Sequence, residues 1–363
     1  MRHLDKSNEY DVQAHTSKLS TSFYEEWNSA FPPSSILHSY DESDPQTAIQ
    51  AISESFVFCT KHLPTDLVSK LLSFPYDPSA PSYLVIRNLP IESLNNVPPT
   101  PFRNHLFENE PNHKELVPIA LTWILGISRL LGHLTCPPSF NKAIKERLIR
   151  SVTQFPHEHG ILPMHRDYAR KVQAGGIEPE FLILFGIRSD EESSVATVIT
   201  DNEELIQLLD QDDIEILQKF KIQMSMTRKP GAAENDGEVE NFPIGNSFYA
   251  IDPIEKGMVT LYGLPNGVPT SPDGGEAAVA AYKRVEAIAF EHGDRVVLGP
   301  GDMLILNNAR AVHGRTSYDS NIPIGDKSRW MIKSYVTNAM WKGTGTDGSG
   351  GRVEYPSLSI FRK

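Results

Sequence analysis

Apolar positions follow a helical period in the first part of the chain and a strand period after about residue 147. Residues 44–74 predict two helices, with Ser and Asp at capping positions and Pro64-Thr65-Asp66 opening the second. Residues 82–89 (SYLVIRNL) predict a strand, stopped by Pro90. Residues 116–131 are the most apolar stretch. They carry Pro118, Ser128 and Arg129 and are too short to span a bilayer, so a buried helix packed on a sheet is predicted. Residues 147–155 predict a strand leading through Pro156 towards His165.

Short strand signals dominate beyond that point. Residues 181–187 (FLILFGI) are continuously apolar, the pattern of a strand covered on both faces. Residues 195–200 (VATVIT) are β-branched, and residues 202–219 read as helix. Phe220, Ile222, Met224 and Met226 then alternate with polar residues at the strand period. Residues 247–251 and 258–262 predict further strands, and the Ala-rich residues 275–290 a helix. Residues 295–298 and 303–306, joined by the turn Gly299-Pro300-Gly301-Asp302, read as a hairpin-like pair, and residues 329–337 (RWMIKSYVT) as the last strand. The expected fold is mainly β, a sandwich or barrel with flanking helices. A single domain over residues 1–363 is expected, helical to about residue 140 and barrel from about 144 to 340. The acidic, Gly-bearing residues 228–243 are expected to form a mobile lid, and residues 342–351 (KGTGTDGSGG) a flexible excursion.

Composition narrows the function classes. The chain is 39% hydrophobic and 22% charged, ordinary for a globular protein with a sizeable core. A net charge of -12 with no basic stripe argues against nucleic acid as a partner. Cys59 and Cys136 fit no metal or redox spacing. The first twenty residues lack the apolar stretch of a signal peptide, so a cytoplasmic setting and no membrane association are expected.

Four His-x-acid triplets occur: His3-Leu4-Asp5, His113-Lys114-Glu115, His165-Arg166-Asp167 and His292-Gly293-Asp294. The first lies in a polar segment, the second reads as a solvated helix start, and the fourth lies too close to His313 to leave room for intervening strands. Only His165-Arg166-Asp167 precedes a run of strands that reaches a second histidine, His313. On a strand, residues two apart point the same way, so His165 and Asp167 can reach one ion. Two imidazoles and one carboxylate are the donor set of mononuclear non-haem Fe(II) oxygenases, with positions left open for cosubstrate and O2. His157 and His159, in the preceding loop, are read as structural or solvated, and Phe181, Phe185, Tyr249 and Trp330 as core.

Several stretches carry a resemblance: LVIRNLP at 84–90, MHRD at 164–167, EFLILFGIRSDEESSVATVIT at 180–200, VLGPGDMLILNNARAVHGRTSY at 297–318 and SRW at 328–330. Together they resemble the clavaminate synthase-like branch of the taurine dioxygenase superfamily, Fe(II)- and 2-oxoglutarate-dependent oxygenases with a double-stranded β-helix (jelly-roll) core. The resemblance implies His165, Asp167 and His313 as iron ligands and Arg329 as partner of the far carboxylate of 2-oxoglutarate, with the hydroxyl of Thr197 beside it. Arginine's planar fork suits a carboxylate better than lysine's point charge. Arg315 is the competing arginine, otherwise a salt-bridging or loop-positioning residue after the histidine, and it stands with Glu238 and Glu240 as a substrate-side candidate. The chain departs from the branch in three places: Asp167 where many members have Glu, Asn307 where the "DN" element has Asp, and a slightly longer interval from His313 to Arg329.

The implied activity is hydroxylation of an unactivated C–H in a small polar metabolite, a free amino acid or derivative. Asp167 argues against halogenation, because the halogenases of this superfamily replace the metal carboxylate with a small residue. Desaturation or cyclisation by the same chemistry stays open, as does a catalytically silent barrel used as a binding module. The resemblance implies an amino acid that often carries a basic or amide side chain, and Glu234, Asp236, Glu238 and Glu240 in the expected lid offer carboxylates to an ammonium or guanidinium. The pattern says nothing about oligomeric state.

Overall fold

The computed structural model describes residues 8–12, 22–41, 44–93, 96–101, 117–135, 148–153, 160–167, 179–189, 195–226, 242–254, 258–263, 267–318 and 328–338. Strand β1 (Glu9–Asp11) is followed by helices α1 (Ser22–Ala30), α2 (Pro45–His62) and α3 (Thr65–Ser73). Then come β2 (Tyr83–Arg87), α4 (Pro118–Leu131), β3 (His133–Thr135), β4 (Ile149–Thr153), β5 (Leu162–His165), β6 (Phe181–Arg188) and β7 (Thr197–Asp201). Helices α5 (Asn202–Leu208) and α6 (Gln211–Lys219) lead to β8 (Ile222–Met226), β9 (Phe242–Phe248), β10 (Gly267–Thr270) and α7 (Gly275–His292). Strands β11 (Asp294–Val296), β12 (Met303–Asn307), β13 (Ala311–Arg315) and β14 (Trp330–Thr337) complete the described elements.

The strands form three sheets. The largest runs β1-β2-β12-β6-β14-β3, with β4 also paired to β14; a second runs β11-β7-β13-β5 and a third β10-β8-β9. All pairings are antiparallel except that of β1 with β2, so the large sheet is mixed. Strand alternation sorts its side chains into two cores. Leu84, Ile86, Phe181, Ile183, Phe185, Met303, Ile305, Trp330 and Ile332 face the helical layer. Their neighbours Tyr83, Val85, Leu182, Leu184, Leu304, Leu306, Met331 and Tyr335 face the second sheet, meeting Ile199, Val296 and Ala311. Each fully buried aliphatic side chain contributes roughly 1.5–3 kcal/mol, and burial on both sides makes β6 continuously apolar. A third core, with Val198, Met164 and Val312 on the outer side of the second sheet, is closed by α7 and by Ile222, Met224 and Phe248 of the third sheet.

Local signals account for several boundaries. Asp44 caps α2 by accepting from the Gln46 amide, and Pro45 supplies the preset φ of a first helical residue. Asp201 caps α5 by accepting from the Glu203 and Glu204 amides. The single helix expected over 202–219 is two helices, because Leu209 leaves the helical region (φ -86, ψ 148) and Asp210 starts afresh.

Three other expectations are corrected. The hairpin of residues 295–306 is a crossover: β11 pairs with β7 in the second sheet, whereas β12 lies between β2 and β6 in the large one. The turn is the one expected, with Gly301 at φ 81 and the Gly299 amide donating to Asp302 Oδ2 at 2.9 Å, but it carries the chain between sheets. Residues 258–262 form no strand, only a bridge between Ile251 and Val259. Strand β9 begins at Phe242, so the last two residues of the expected lid belong to a sheet; residues 228–241 and 342–351 lie outside the described residues. No described helix is long and apolar enough to cross a membrane.

Candidate metal centre

The site lies between the large and second sheets. His165 ends β5 and is the register partner of His313 in the antiparallel strand β13. Facing residues of adjacent strands share a side, which sets the two imidazoles next to each other with centroids 4.3 Å apart. Strand β13 was not anticipated: His313, expected only to follow the strand at 303–306, is its central residue. Asp167 lies two residues past the end of β5. Its Oδ1 is 3.6 Å from His165 Nε2 and its Oδ2 is 3.8 Å from His313 Nε2. Each of the three residues offers one ligand atom within 4.8 Å of the others.

Because Asp167 is beyond the strand, other residues place it. The Asn308 side chain brackets its backbone, accepting from the Asp167 amide at 3.0 Å and donating to the Asp167 carbonyl at 2.9 Å. The Tyr335 hydroxyl donates to Asp167 Oδ2 at 2.9 Å. Between His165 and Asp167, Arg166 turns away into the protein and is 2% exposed. Its Nε donates to the Asn308 carbonyl at 2.9 Å, and one terminal nitrogen donates to Thr260 Oγ1 at 3.3 Å. Asn307, standing where the family pattern has Asp, accepts from the Ala309 and Arg310 amides through its side-chain oxygen. A carbonyl oxygen suffices for that turn, which explains why Asn serves there.

The electrostatics favour ligation. Burial opposes ionisation of Asp167, but Lys333, His313, His165 and the Tyr335 hydrogen bond outweigh it and bring the carboxyl to about 2. Burial pushes His313 down to about 3, with His165 and Lys333 acting the same way and Asp167 against them, so the imidazole is neutral. His165 Nδ1 lies 2.9 Å from the Pro163 carbonyl oxygen, which can only accept. Nδ1 therefore carries the proton and Nε2 offers its lone pair. Two neutral nitrogens and one carboxylate oxygen on one side of a sheltered site fit a ferrous ion.

Arg329, immediately before β14, is 3% exposed and donates to the Tyr318 hydroxyl at 3.3 Å. Arg315 stacks on the same ring, 4.0 Å from its centroid, and donates to the Gly160 carbonyl at 3.3 Å. Tyr318 thus sits between the two candidate arginines. The carbonyl preceding Arg329 is held by Thr100 Oγ1 at 2.6 Å, which in turn accepts from Arg188 at 3.0 Å. Thr197 is buried and is the register partner of Arg315, with His313 next along the same inward face of β13.

No family model matches the chain. Solved structures do resemble it. Asparagine oxygenase in complex with Fe(II), 2S,3S-3-hydroxyasparagine and succinate matches with a TM-score of 0.64 and 18% identity, over 91% of this chain and 94% of that one. The non-heme iron oxygenase OrfP in complex with Fe and L-Arg matches with a TM-score of 0.59 and 17% identity, over 96% and 99%. The chain has the fold of these iron oxygenases. Within that oxygenase fold, Glu234, Asp236, Glu238 and Glu240 lie outside the described residues, as do His157 and His159. Phe181, Phe185 and Trp330 are buried in the core facing the helices, the Trp330 indole donating to Ser151 Oγ at 3.1 Å. Lys333, Tyr335 and Arg166 were not singled out from sequence. Asn308 is the Asn that the chain keeps in the "DN" element, and no role was read for it from sequence; the inward facing of Lys333 and Tyr335 has no sequence signal, because their strand is apolar on both sides.

Proposed function

We propose that this chain is an Fe(II)/2-oxoglutarate-dependent oxygenase that hydroxylates an unactivated C–H of a free amino acid or derivative. The observation that carries the proposal is the convergence of His165, Asp167 and His313 on the fold shared with asparagine oxygenase and OrfP. The two facing sheets are then the double-stranded β-helix of that family, and the chain is a single domain acting on a small-molecule partner.

His165 and His313 supply neutral nitrogens and Asp167 the single negative charge, so a divalent ion is held with one positive charge in excess, which favours an anionic chelating cosubstrate. Arg329 pairs with the far carboxylate of 2-oxoglutarate, and the Thr197 hydroxyl completes that subsite. Arg315, stacked on Tyr318, fixes the ring against Arg329 and borders the substrate side. Bound iron, with O2 and 2-oxoglutarate, supplies the oxidant for the C–H bond: substrate, 2-oxoglutarate and O2 give the alcohol, succinate and CO2. Placing the donors between two apolar sheets limits water around them. Neighbours bound to 3-hydroxyasparagine and to (3R,4R)-dihydroxy-L-Arg support an amino acid with an amide or basic side chain. The test is a panel of L-amino acids and simple derivatives, read by substrate-dependent succinate release and product mass. A gain of one oxygen on an amino acid is expected; turnover confined to sulfonates or peptides would refute the substrate class.

A further inference from the structure

Among the described residues Asp167 makes three hydrogen bonds, and they divide the work of placing it. Asn308 fixes its peptide groups through the two hydrogen bonds described above. That leaves the carboxylate rotation, a broad, roughly two-fold torsion with no strong staggered preference of its own. The group that addresses this rotation is Tyr335, 2% exposed, whose hydroxyl donates to Oδ2 at 2.9 Å. Among the described residues no hydrogen bond is made to Oδ1. The two oxygens therefore differ in hydrogen bonding: Oδ2, 3.8 Å from His313 Nε2, is engaged by a phenol, and Oδ1, 3.6 Å from His165 Nε2, is left open to a metal.

Lys333 extends the chain. Met331 and Tyr335 belong to the core between the sheets, so Lys333, between them in β14, points the same way. Its ammonium donates to the Tyr335 hydroxyl oxygen at 3.0 Å. A cation donating to a phenol oxygen strengthens that phenol as a donor, and the phenol donates to an anion. In a sheltered site such a chain is stronger than its separate bonds.

We propose that Tyr335 and Lys333 are positioning residues for the metal carboxylate: they lock its rotation so that Asp167 offers a single oxygen, Oδ1, to the metal. Resting on the iron reading above, this assigns to β14 a second duty besides following Arg329. Partners of metal ligands typically alter affinity about 10- to 100-fold when lost. Tyr335→Phe removes only the hydroxyl and keeps the ring in the core. Lys333→Met keeps the apolar stem and removes the charge; Lys333→Arg keeps the charge.

The experiment titrates metal-free protein with Fe(II) under anaerobic conditions, alongside thermal unfolding without metal and the visible absorption of Co(II)-loaded protein. Wild type is expected to bind one Fe(II). Tyr335→Phe should bind about 10- to 100-fold more weakly, with a metal-free unfolding temperature close to wild type. Its Co(II) spectrum should weaken in intensity as the freed carboxylate swings to offer both oxygens and raises the coordination number. Lys333→Met should weaken Fe(II) binding less, and Lys333→Arg should restore it. Unchanged Fe(II) affinity and an unchanged Co(II) spectrum in Tyr335→Phe would overturn the assignment. If that variant instead fails to fold, equal Fe(II) affinity for Lys333→Met and Lys333→Arg would overturn it. A wild-type protein that binds neither metal would bring down the iron reading itself, a different failure from a tight-binding Tyr335→Phe.

Discussion

Gly263→Ala tests how the first histidine is aimed. Gly263 lies where residues 258–263 cross the back of the His165 segment, an approach fixed by the Arg166 amide donating to the Leu261 carbonyl at 3.1 Å. A Cβ on Gly263 would stand 2.7 Å from the Pro163 carbonyl carbon and 3.2 Å from His165 Cβ, with the Pro163 carbonyl oxygen closer still. Carbon atoms pack at about 3.5 Å or more, so the Pro163 peptide has to move by about 0.8 Å. That carbonyl is the acceptor of the His165 Nδ1 proton at 2.9 Å. A displacement of about 0.8 Å exceeds the tolerance of such a bond, which is gone by roughly 3.6 Å. The imidazole then loses its fixed tautomer and rotation, and metal affinity should fall about 10- to 100-fold, or about 1.4–2.7 kcal/mol. Anaerobic Fe(II) titration of the metal-free variant measures this, with circular dichroism to show that the fold persists. Wild-type affinity in a folded Gly263→Ala protein would refute the reasoning, since it would mean that the Pro163 contact does not aim His165.

Arg329→Ala should raise the apparent KM for 2-oxoglutarate at least about 30-fold, because losing a sheltered charged partner costs about 2–5 kcal/mol; a large effect in Arg315→Ala and none in Arg329→Ala would exchange the two roles. Glu92 accepts from the amides of Ile119 and Ala120 at the start of α4, and burial pushes its carboxyl up from 4.5 to about 7. A raised folded-state value means that its contribution to stability is fully present below about 4.5 and lost as pH rises through about 7, so Glu92→Gln should gain on wild type by about 3 kcal/mol across that window. Denaturant titrations at pH 5 and pH 8 that show a pH-independent difference would contradict it. Asn308→Asp removes the donor to the Asp167 and Pro179 carbonyls, at 2.9 and 3.0 Å, and should cost about 2–4 kcal/mol of stability together with Fe(II) affinity; a neutral result would dismiss the bracket around Asp167.

The elements that sequence made legible are those whose cause is local. Asp44-Pro45 announces α2 through a cap and a preset φ, and FLILFGI announces β6 because both of its faces are buried. The cluster was legible through chemistry: few contexts join His165-Arg166-Asp167 to a remote His313. Sheet membership was not legible. Gly299-Pro300-Gly301-Asp302 specifies a turn, and nothing in it distinguishes a hairpin from a step between two sheets. Strand β13, with Gly314 and Arg315 among its five residues, carries too weak a β signature to stand out. The spacing of His165 and Asp167 suggested one shared strand. The pleat was expected to aim both side chains, yet β5 stops at His165 and Asp167 is placed by Asn308 and Tyr335, partners 141 and 168 residues away. Such long-range placement leaves no local trace.

The central claim is that His165, Asp167 and His313 hold Fe(II) with an open edge for 2-oxoglutarate. The most direct test is the absorption spectrum of the protein under anaerobic conditions with Fe(II) and 2-oxoglutarate together. A weak visible metal-to-ligand charge-transfer band is predicted for wild type, absent without 2-oxoglutarate and absent from His313→Ala. No band in wild type, or a band of equal strength in His313→Ala, would contradict the account.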